Sequence, residues 1–281
     1  MVGQCFGQAL TERGLTLVGV WDMKPTQALN DFAARHGTQV HSAPGEWLAE
    51  ADLVISAVFG TAALEVATTA MGSLQKGVLY VDMTTADPEH MQRASELAQC
   101  KGIDFVDVAI TGAVDMHRAK TPLLCSGIRA QDVAHIFRQI DSPIQVVGSR
   151  PGDATSLKLL RSVFTKGFEA LTVECLTTAE KRGVRLQLHD VLSDMDRTPL
   201  KNLMESIVRT HIEHAGRRRN EIVEAQRQVR MTDIEPLVLP GAQQVYERTM
   251  QKQSVQPYHG TNVDEALQWL IKAAEPAHSQ S

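Results

Sequence analysis

The sequence predicts an α/β fold with a doubly wound, mostly parallel sheet, followed by a second domain that is all-α. In residues 1–148, short apolar runs rich in Val and Ile alternate with helical stretches, whereas no convincing strand follows Gly148. Runs with little alternation of polar and apolar residues are typical of parallel strands whose two faces are covered by helices. We therefore expect one domain over residues 1–150 and a helical domain over residues 151–281.

The strands of the first domain are predicted from its apolar runs, at residues 15–21, 53–58, 78–83, 105–110, 123–126 and 144–147. Helices fill the gaps between them. Pro25 lies near the start of one helix, which runs to His36 and ends at Gly37. Asp87 and Pro88 provide the N-cap and first residue of another, which Gly102 closes.

The second domain is predicted to hold helices at residues 154–182, 189–195, 199–230, 234–252 and 263–274, and the tail 275–281 is expected to be disordered. The first helix carries an apolar stripe at three- and four-residue steps, formed by Leu157, Leu160, Phe164, Phe168, Leu171 and Cys175. A polar row, formed by Lys158, Ser162, Thr165 and Glu169, lies away from that stripe. A lysine at a cleft between two such domains can act as a general base when burial or a neighbouring cation lowers its pKa.

Composition indicates an ordinary globular protein of the cytoplasm. The 281 residues are 43% hydrophobic and 22% charged, with a net charge of −5. We expect no nucleic-acid partner, because no strong basic excess is present, and no membrane partner, because the apolar runs are strand-sized. The four cysteines are far apart, so we expect free thiols and no metal. His211 with His214, and Arg217–Arg219, are better explained as solvated helix positions.

The first residues are typical of the second half of a dinucleotide-binding βαβ unit. Gly3 occupies the place of the third glycine of G-x-G-x-x-G, at the start of an amphipathic helix that ends at Gly14. The preceding strand and first two glycines are not in the sequence, and we expect Met1 to be an internal residue of the glycine-rich loop. Asp22 ends the next strand at the distance needed to reach an adenosine ribose, which favours NAD over NADP, although Lys24 could offset this preference.

Four segments, in order, resemble the β-hydroxyacid dehydrogenase family, in the branch related to 6-phosphogluconate dehydrogenase. Residues 3–14 (GQCFGQALTERG) resemble its first helix, and residues 81–85 (VDMTT) with Asp87 and Pro88 resemble D-x-S-T-x-x-P. Residues 107–113 (DVAITGA) resemble D-A-P-V-S-G-G, and residues 152–158 (GDATSLK) resemble the start of the interdomain helix. The last hundred residues resemble a divergent offshoot with a distinct helical domain.

The resemblance implies roles for particular residues. Lys158 would be the catalytic lysine, and Thr111, Gly112 and Ala113 would form the loop that meets the substrate carboxylate, with Ser162 beside them. The nicotinamide half of the cofactor would lie against Val58, Phe59 and Thr85. Ser162 stands where the family usually has Asn, and Thr165 where the phosphogluconate branch has an acid, so 6-phosphogluconate is not expected as substrate.

Three functions remain open at this point. The first is an NAD(P)-dependent dehydrogenase that transfers a hydride between nicotinamide and a small carboxylate-bearing hydroxy acid, as a homodimer. The second is an imine reductase-like enzyme, favoured by the replacement of the family Asn by Ser162. The third is a non-catalytic or defective dinucleotide-fold protein, because the glycine-rich turn is missing.

Overall fold

The computed structural model describes residues 1–272 and divides the chain into two compact units, Met1–Val163 and Phe164–Ser281. The tail 275–281, expected to be disordered, lies outside the described residues. None of the helices in the described part is long and apolar enough to cross a bilayer.

The first unit alternates strands and helices as predicted. Its strands are β1 (Val20–Trp21), β2 (Val40–His41), β3 (Leu53–Ser56), β4 (Leu79–Asp82), β5 (Asp104–Ile110), β6 (Leu123–Ser126) and β7 (Ile144–Gly148). Its helices are α1 (Val2–Thr11), α2 (Gln27–Arg35), α3 (Ala63–Ala70), α4 (Pro88–Cys100), α5 (Val114–His117), α6 (Ala130–Arg138) and the start of α7 (Asp153–Lys181). Asp87 caps α4 through the amide of Glu89, and Gly102 closes it with a φ of 71°.

Five strands form one sheet in the order β3-β4-β5-β6-β7, and β1 and β2 form a separate parallel pair. Only β5 and β6 are antiparallel neighbours within the larger sheet. The prediction of a mostly parallel α/β sheet is confirmed.

The predicted strand over residues 15–21 is wrong in length. Only Val20 and Trp21 pair, because the one strand bonded to β1 in the described residues is the two-residue strand β2. Strand β2 was not predicted from the sequence. In the doubly wound order 3-2-1-4-5-6, the first strand lies between the strands equivalent to β1 and β3. The division between the two sheets therefore falls where that strand would lie, and β3 is left at the edge of the larger sheet.

Two apolar cores flank the larger sheet. On one face, α1 and α6 pack together through Phe6 and Phe137, whose ring centroids are 5.7 Å apart. On the other face, Tyr80 and Phe105 stack beneath the helices α3 and α4. Helices therefore cover both faces of the larger sheet.

The second unit holds only helices within its described residues. After α7 these are α8 (Arg185–Val191), α9 (Ser193–Asp196), α10 (Leu200–Arg230), α11 (Leu239–Val255) and α12 (Val263–Ile271). The buried carboxylate of Glu174 accepts the amides of Leu237, Val238 and Leu239 and so caps the start of α11. The buried ammonium of Lys252 donates to the carbonyls of Trp269 and Lys272 at the end of α12. Charges of these signs stabilise those helix ends.

The long helix α7 was predicted to within one residue at each end. All six residues of its predicted apolar stripe are exposed, including Leu160 at 64% and Phe168 at 59%. In the opposite row, Lys158, Ser162 and Thr165 are half-buried, whereas Glu169 is exposed. The predicted stripe is therefore an exposed apolar row along one side of α7.

Candidate active site

Four buried polar side chains lie in register across neighbouring strands at the carboxyl end of the sheet. Ser56 on β3 is paired with Asp82 on β4, Asp82 with Asp107 on β5, and Asp107 with Ser126 on β6. Ser56 and Asp82 are the last residues of their strands. In open α/β sheets, ligands bind in the crevice outside the carboxyl ends of the strands. This polar row therefore forms the floor of the candidate site.

Asp107 is fully buried and holds the first turn of α7. Its carboxylate accepts hydrogen bonds from the amides of Gly152 and Thr155 at 3.1 and 2.9 Å. It also accepts the hydroxyls of Thr155 and Ser126 at 2.8 and 3.2 Å. Burial raises the pKa of Asp107, and these four donors act against that shift.

Asp82 is fully buried with fewer partners. Its Oδ1 accepts the amide and the hydroxyl of Thr84, at 2.9 and 2.5 Å, while its Oδ2 makes no hydrogen bond within the described structure. Ser56 Oγ, on the paired strand, is likewise without a partner. Burial raises the pKa of Asp82 to about 6, the charge of Asp107 adds to the rise, and the two bonds from Thr84 oppose it.

Lys158 and Thr85 meet above this floor, although 73 residues separate them in the chain. Lys158 Nζ donates to Thr85 Oγ1 at 2.8 Å. Thr85 follows the Asp82–Thr84 turn and has a φ of 54°, a left-handed conformation that is rare for a β-branched residue. Burial lowers the pKa of Lys158, whereas the charge of Asp107 acts in the opposite direction. The site thus holds a half-buried lysine that loses its proton more readily than an exposed lysine does.

The turn after β3 lies against the turn that carries Thr85. A Cβ atom on Gly60 would approach Thr85 O to 3.4 Å and Ala86 Cα to 3.3 Å. Val58 and Phe59 lie in this turn rather than within a strand, because β3 ends at Ser56. Phe59 is 86% exposed, so its ring is available to a bound molecule.

The amino end of α1 reaches the same edge of the sheet. A Cβ on Gly3 would lie 3.8 Å from Ala57 Cβ, just after β3. No side chain caps α1, so the amides of its first turn can meet an anion. This uncapped helix end, together with the exposed Phe59, fits a dinucleotide whose diphosphate meets α1. Asp22, after β1, accepts the amide of Lys24 at 2.8 Å through one oxygen.

The loop predicted to meet a carboxylate is bonded at Thr111 to the residue that precedes β6. The amide and hydroxyl of Thr111 both donate to Pro122 O, at 2.9 and 3.0 Å. Gly112 passes close to Thr121 and Pro122, where a Cβ would come within 3.1 Å of each. Ala113 precedes α5 and caps it without a side-chain bond. The Thr111 hydroxyl is therefore committed to the protein.

Ser162 is also bonded within the chain. Its hydroxyl donates to Lys158 O, one turn earlier in α7, at 3.0 Å. The proton of this hydroxyl is therefore engaged, and the oxygen keeps lone pairs for an incoming donor.

Comparison with known proteins defines the family. A family model described as the NAD binding domain of 6-phosphogluconate dehydrogenase matches residues 1–148, which is more than half of the chain. The chain belongs to this family. Residues 179–249 match a second model, described as a domain of unknown function, DUF1932. The amino-terminal unit is an NAD(P)-binding domain with a hydroxyacid dehydrogenase-like fold.

Related proteins share this organisation. An uncharacterized 28.5 kDa protein of Methanothermus fervidus is 29% identical over 218 residues, covering 77% of this chain and 83% of that protein. The conserved protein MTH1747 of unknown function, whose structure was described as similar to 3-hydroxyacid dehydrogenases, is 28% identical. Its TM-score is 0.62, and the match covers 89% of this chain and 93% of that chain.

Imine reductases share the fold at lower identity. The enzyme from Myxococcus stipitatus in complex with NAD+ has a TM-score of 0.74 at 17% identity, with 96% of each chain covered. This likeness concerns the fold alone. The family is described by a dehydrogenase, 6-phosphogluconate dehydrogenase, and these imine reductases are oxidoreductases.

Sequence reasoning missed several residues of this family member's site. Asp82, Asp107 and Gly152 lie inside the segments that carried the family resemblance, but no role was predicted for them, and Ser126 was not singled out at all. These residues are brought together by the register of the strands and by the position of the start of α7. Sequence periodicity predicts neither of these. The matched motifs were the signal that could have pointed to Asp107.

His211 and the three arginines Arg217–Arg219 of α10 bind other residues of the second unit. His211 Nε2 is 2.8 Å from Thr249 Oγ1, and its pKa is lowered by burial and by Arg218. Arg217 pairs with Glu221, Arg218 donates to Thr210, and Arg219 pairs with Glu247. Within residues 1–272, no group of three His, Cys, Asp or Glu side chains could hold a metal ion.

Replacing Asp82 with asparagine should stabilise the protein at neutral pH. The pKa of this carboxyl is raised from 3.8 to about 6 in the folded state, so the charged carboxylate destabilises the fold. This destabilisation is complete above about pH 6 and is lost as the pH falls to 3.8. The shift sets an upper limit of about 3 kcal/mol on this gain at pH 7.5, because the buried asparagine amide also needs a hydrogen-bond acceptor. Urea unfolding of Asp82→Asn should show this gain at pH 7.5 and a much smaller one at pH 4.5.

The matched control for this prediction is Asp104→Asn, on β5, where the carboxylate is partly exposed and paired with Arg129. It should give no gain at pH 7.5. Equal stability of the Asp82→Asn variant and the unmodified protein at both pH values would contradict the expected cost of the buried charge.

Proposed function

We propose that the protein is an NAD(P)-dependent oxidoreductase that acts on a small hydroxy acid bearing a carboxylate. The observation that carries the proposal is the contact between Lys158 Nζ and Thr85 Oγ1 at the carboxyl end of an NAD(P)-binding sheet. Hydride transfer at the carbinol carbon of the substrate is the chemistry that a nicotinamide cofactor would supply when bound.

Lys158 is the proposed general base. In oxidation its neutral amine takes the proton of the substrate hydroxyl, and in reduction its ammonium returns that proton to the oxygen. Burial favours the neutral amine by lowering its pKa. The Thr85 hydroxyl oxygen accepts one N–H of Lys158, which fixes the direction of the amine. This contact therefore prepares the amine before substrate arrives.

The substrate carboxylate is proposed to meet the loop of Thr111, Gly112 and Ala113, with Ser162 near the hydroxyl end. Because Thr111 and Ser162 already donate to backbone carbonyls, the carboxylate would use the backbone amides of Gly112 and Ala113. Ser162 would contribute its oxygen as an acceptor. This division of roles suits an acid with a hydroxyl beside its carboxylate.

The cofactor is proposed to be NAD or NADP, with NAD slightly favoured. Gly3 and the first turn of α1 would hold the diphosphate, and Val58, Phe59 and Thr85 would flank the nicotinamide half. Asp22 has one carboxylate oxygen engaged by Lys24 N, which leaves the other for a ribose hydroxyl. A carboxylate at this position repels a 2′-phosphate.

Imine reduction is the second candidate function. The specific observations are the fold likeness to imine reductases and the serine at position 162 of the helix that carries Lys158. A lysine ammonium could provide the proton for the nitrogen of an imine as well as for a carbonyl oxygen. The two reactions therefore differ in the substrate rather than in the role of Lys158.

A substrate screen separates these functions. The protein is incubated with NAD+ or NADP+ and a panel of short 2- and 3-hydroxy acids, and with NADH or NADPH and a panel of cyclic imines, while absorbance at the nicotinamide band is followed. Turnover of hydroxy acids alone supports the proposal, and turnover of imines alone replaces it with the second candidate. Cofactor binding by calorimetry without turnover of either panel supports a non-catalytic protein.

The protein is also proposed to act as a homodimer in the cytoplasm. Support comes from the exposed apolar stripe of α7, which includes Phe168 and Leu171. A contiguous apolar surface of this kind marks protein interfaces, and a symmetric pair of copies is the commonest assembly. Two copies would each bury the stripe of the other.

Sedimentation velocity tests the dimer. The double variant Phe168→Glu, Leu171→Glu should shift the protein from dimer to monomer, because it places charges in the proposed interface. Ile128→Glu, at a residue that is 84% exposed outside the stripe, should leave the dimer intact. A monomer before any substitution would contradict the proposal.

A further inference from the structure

We propose that Asp107 is a positioning residue for Lys158, holding the start of α7 so that the amine reaches Thr85. The inference rests on the proposed function, in which Lys158 is the general base. Asp107 touches neither the amine nor the Thr85 hydroxyl through a hydrogen bond. It acts on them through the helix that it caps and through its charge.

The first step is the geometry of the cap. The four donors to Asp107 come from α7 and its approach, at Gly152 and Thr155, and from β6, at Ser126. Ser126 Oγ in turn accepts the amide of Ala154 at 3.0 Å. Three amides at the start of α7 are thereby tied to two paired strands. The axial position and rotation of the helix are fixed at this point.

The second step is the spacing from the cap to the amine. Thr155 and Lys158 are three residues apart, so they lie on the same side of the helix about one turn apart. Thr155 donates to Asp107 through both its amide and its hydroxyl. Because the turn before Lys158 is anchored, a small displacement there would be carried directly to the Nζ atom.

The third step is a close approach between the start of α7 and the segment after Thr85. Gly152 has a φ of 97°, and a Cβ on it would lie only 2.8 Å from Pro88 O. Pro88 begins α4, three residues after Thr85. The start of α7 is therefore held between the Asp107 carboxylate and the segment that carries the partner of Lys158.

Several charged residues lie on the elements that meet near Lys158. They include Asp82 on β4, Asp104 and Asp107 on β5, Asp87 and Glu89 at the start of α4, and Asp153 and Arg161 on α7 itself. The charge that raises the pKa of Lys158 is that of Asp107. Removing it should leave the effect of burial unopposed, so the pKa of Lys158 should fall further.

The test measures Lys158 without any substrate. Competitive labelling with acetic anhydride across a pH range, read by mass spectrometry of the Lys158 peptide, gives the midpoint at which this amine becomes reactive. Lys166, exposed on the same helix and paired with Glu169, serves as the internal reference. The labelled proteins are the unmodified chain, Asp107→Asn, and the matched Asp104→Asn variant.

We expect the Lys158 midpoint to move to lower pH in Asp107→Asn and to stay unchanged in Asp104→Asn. A purely structural loss would not produce this shift. Asparagine keeps an acceptor oxygen for the amides at the start of α7, so the main change is the loss of charge. In a folded Asp107→Asn protein, an unchanged or raised midpoint therefore overturns the proposal.

A second variant keeps the test decisive if Asp107→Asn does not fold. Thr155→Val retains the Asp107 charge and removes one donor to it. It should loosen the contact with Thr85, so the labelling rate of fully deprotonated Lys158 should rise at least about twofold relative to Lys166. An unchanged rate counts against positioning.

The outcome is separable from that of the proposed function. A shifted midpoint with no turnover of any hydroxy acid or imine would support the positioning by Asp107 and reject the proposed reaction. Turnover of hydroxy acids with an unmoved midpoint would do the opposite.

Discussion

The Lys158→Met variant should lose about 100- to 10,000-fold in turnover on whichever substrate the screen identifies, while its affinity for the nicotinamide cofactor stays nearly unchanged. Methionine fills a similar volume but cannot take or return a proton. Lys158 is half-buried and its amine is bonded to Thr85, so the substitution removes a proton acceptor from a defined position. Steady-state kinetics and calorimetric titration of the cofactor measure the two effects separately.

Lys166→Met is the matched control for this prediction, because Lys166 is an exposed residue of the same helix. It should keep nearly full turnover. If Lys158→Met turned over as fast as the Lys166→Met control, Lys158 would be removed from the mechanism.

The second large effect concerns the divided sheet. Attaching a five-residue apolar strand and a Gly-x-Gly turn ahead of Met1 should raise the melting temperature by about 10–20 °C and tighten NADH binding. The strand would pair with β1 on one side and with the β3 edge on the other. Its glycine turn would add backbone amides beside the uncapped end of α1. Scanning calorimetry and NADH titration measure these gains.

The control attaches a segment of the same length and composition with prolines at alternate positions, which cannot donate ladder hydrogen bonds. It should raise neither the melting temperature nor the affinity. If the 281-residue chain bound NADH as tightly as the extended chain, the expected contribution of the glycine-rich turn to cofactor binding would be wrong.

Helix ends were the part of the fold that local sequence predicted best. Asp87, Pro88 and Gly102 each satisfy a backbone requirement of their own position, so α4 could be assigned without knowledge of its neighbours. The three- and four-residue spacing similarly predicted α7. The short strand β2 could not be found, because two residues give no periodicity and their pairing depends on β1.

The candidate site was predicted in part, and chiefly through family resemblance. Motif matches led to Lys158 and Thr85, which the structure brings to 2.8 Å from each other. The carboxylates of Asp82 and Asp107 lie side by side because β4 and β5 pair in that register. Strand register relates distant segments of the chain, so local spacing does not predict it. The engagement of Thr111 with Pro122 was unpredictable for the same reason.

The backbone conformation of Thr85 matters for any attempt to stabilise this protein by substitution. Its positive φ favours glycine, and a redesign that selects for thermal stability alone would choose Gly at this position. That substitution would remove the hydroxyl oxygen that accepts a hydrogen bond from the Lys158 amine. With Lys158 in its proposed role, stability and activity are opposed at this residue. A library screened only for heat resistance would then enrich folded chains that lack the proposed activity.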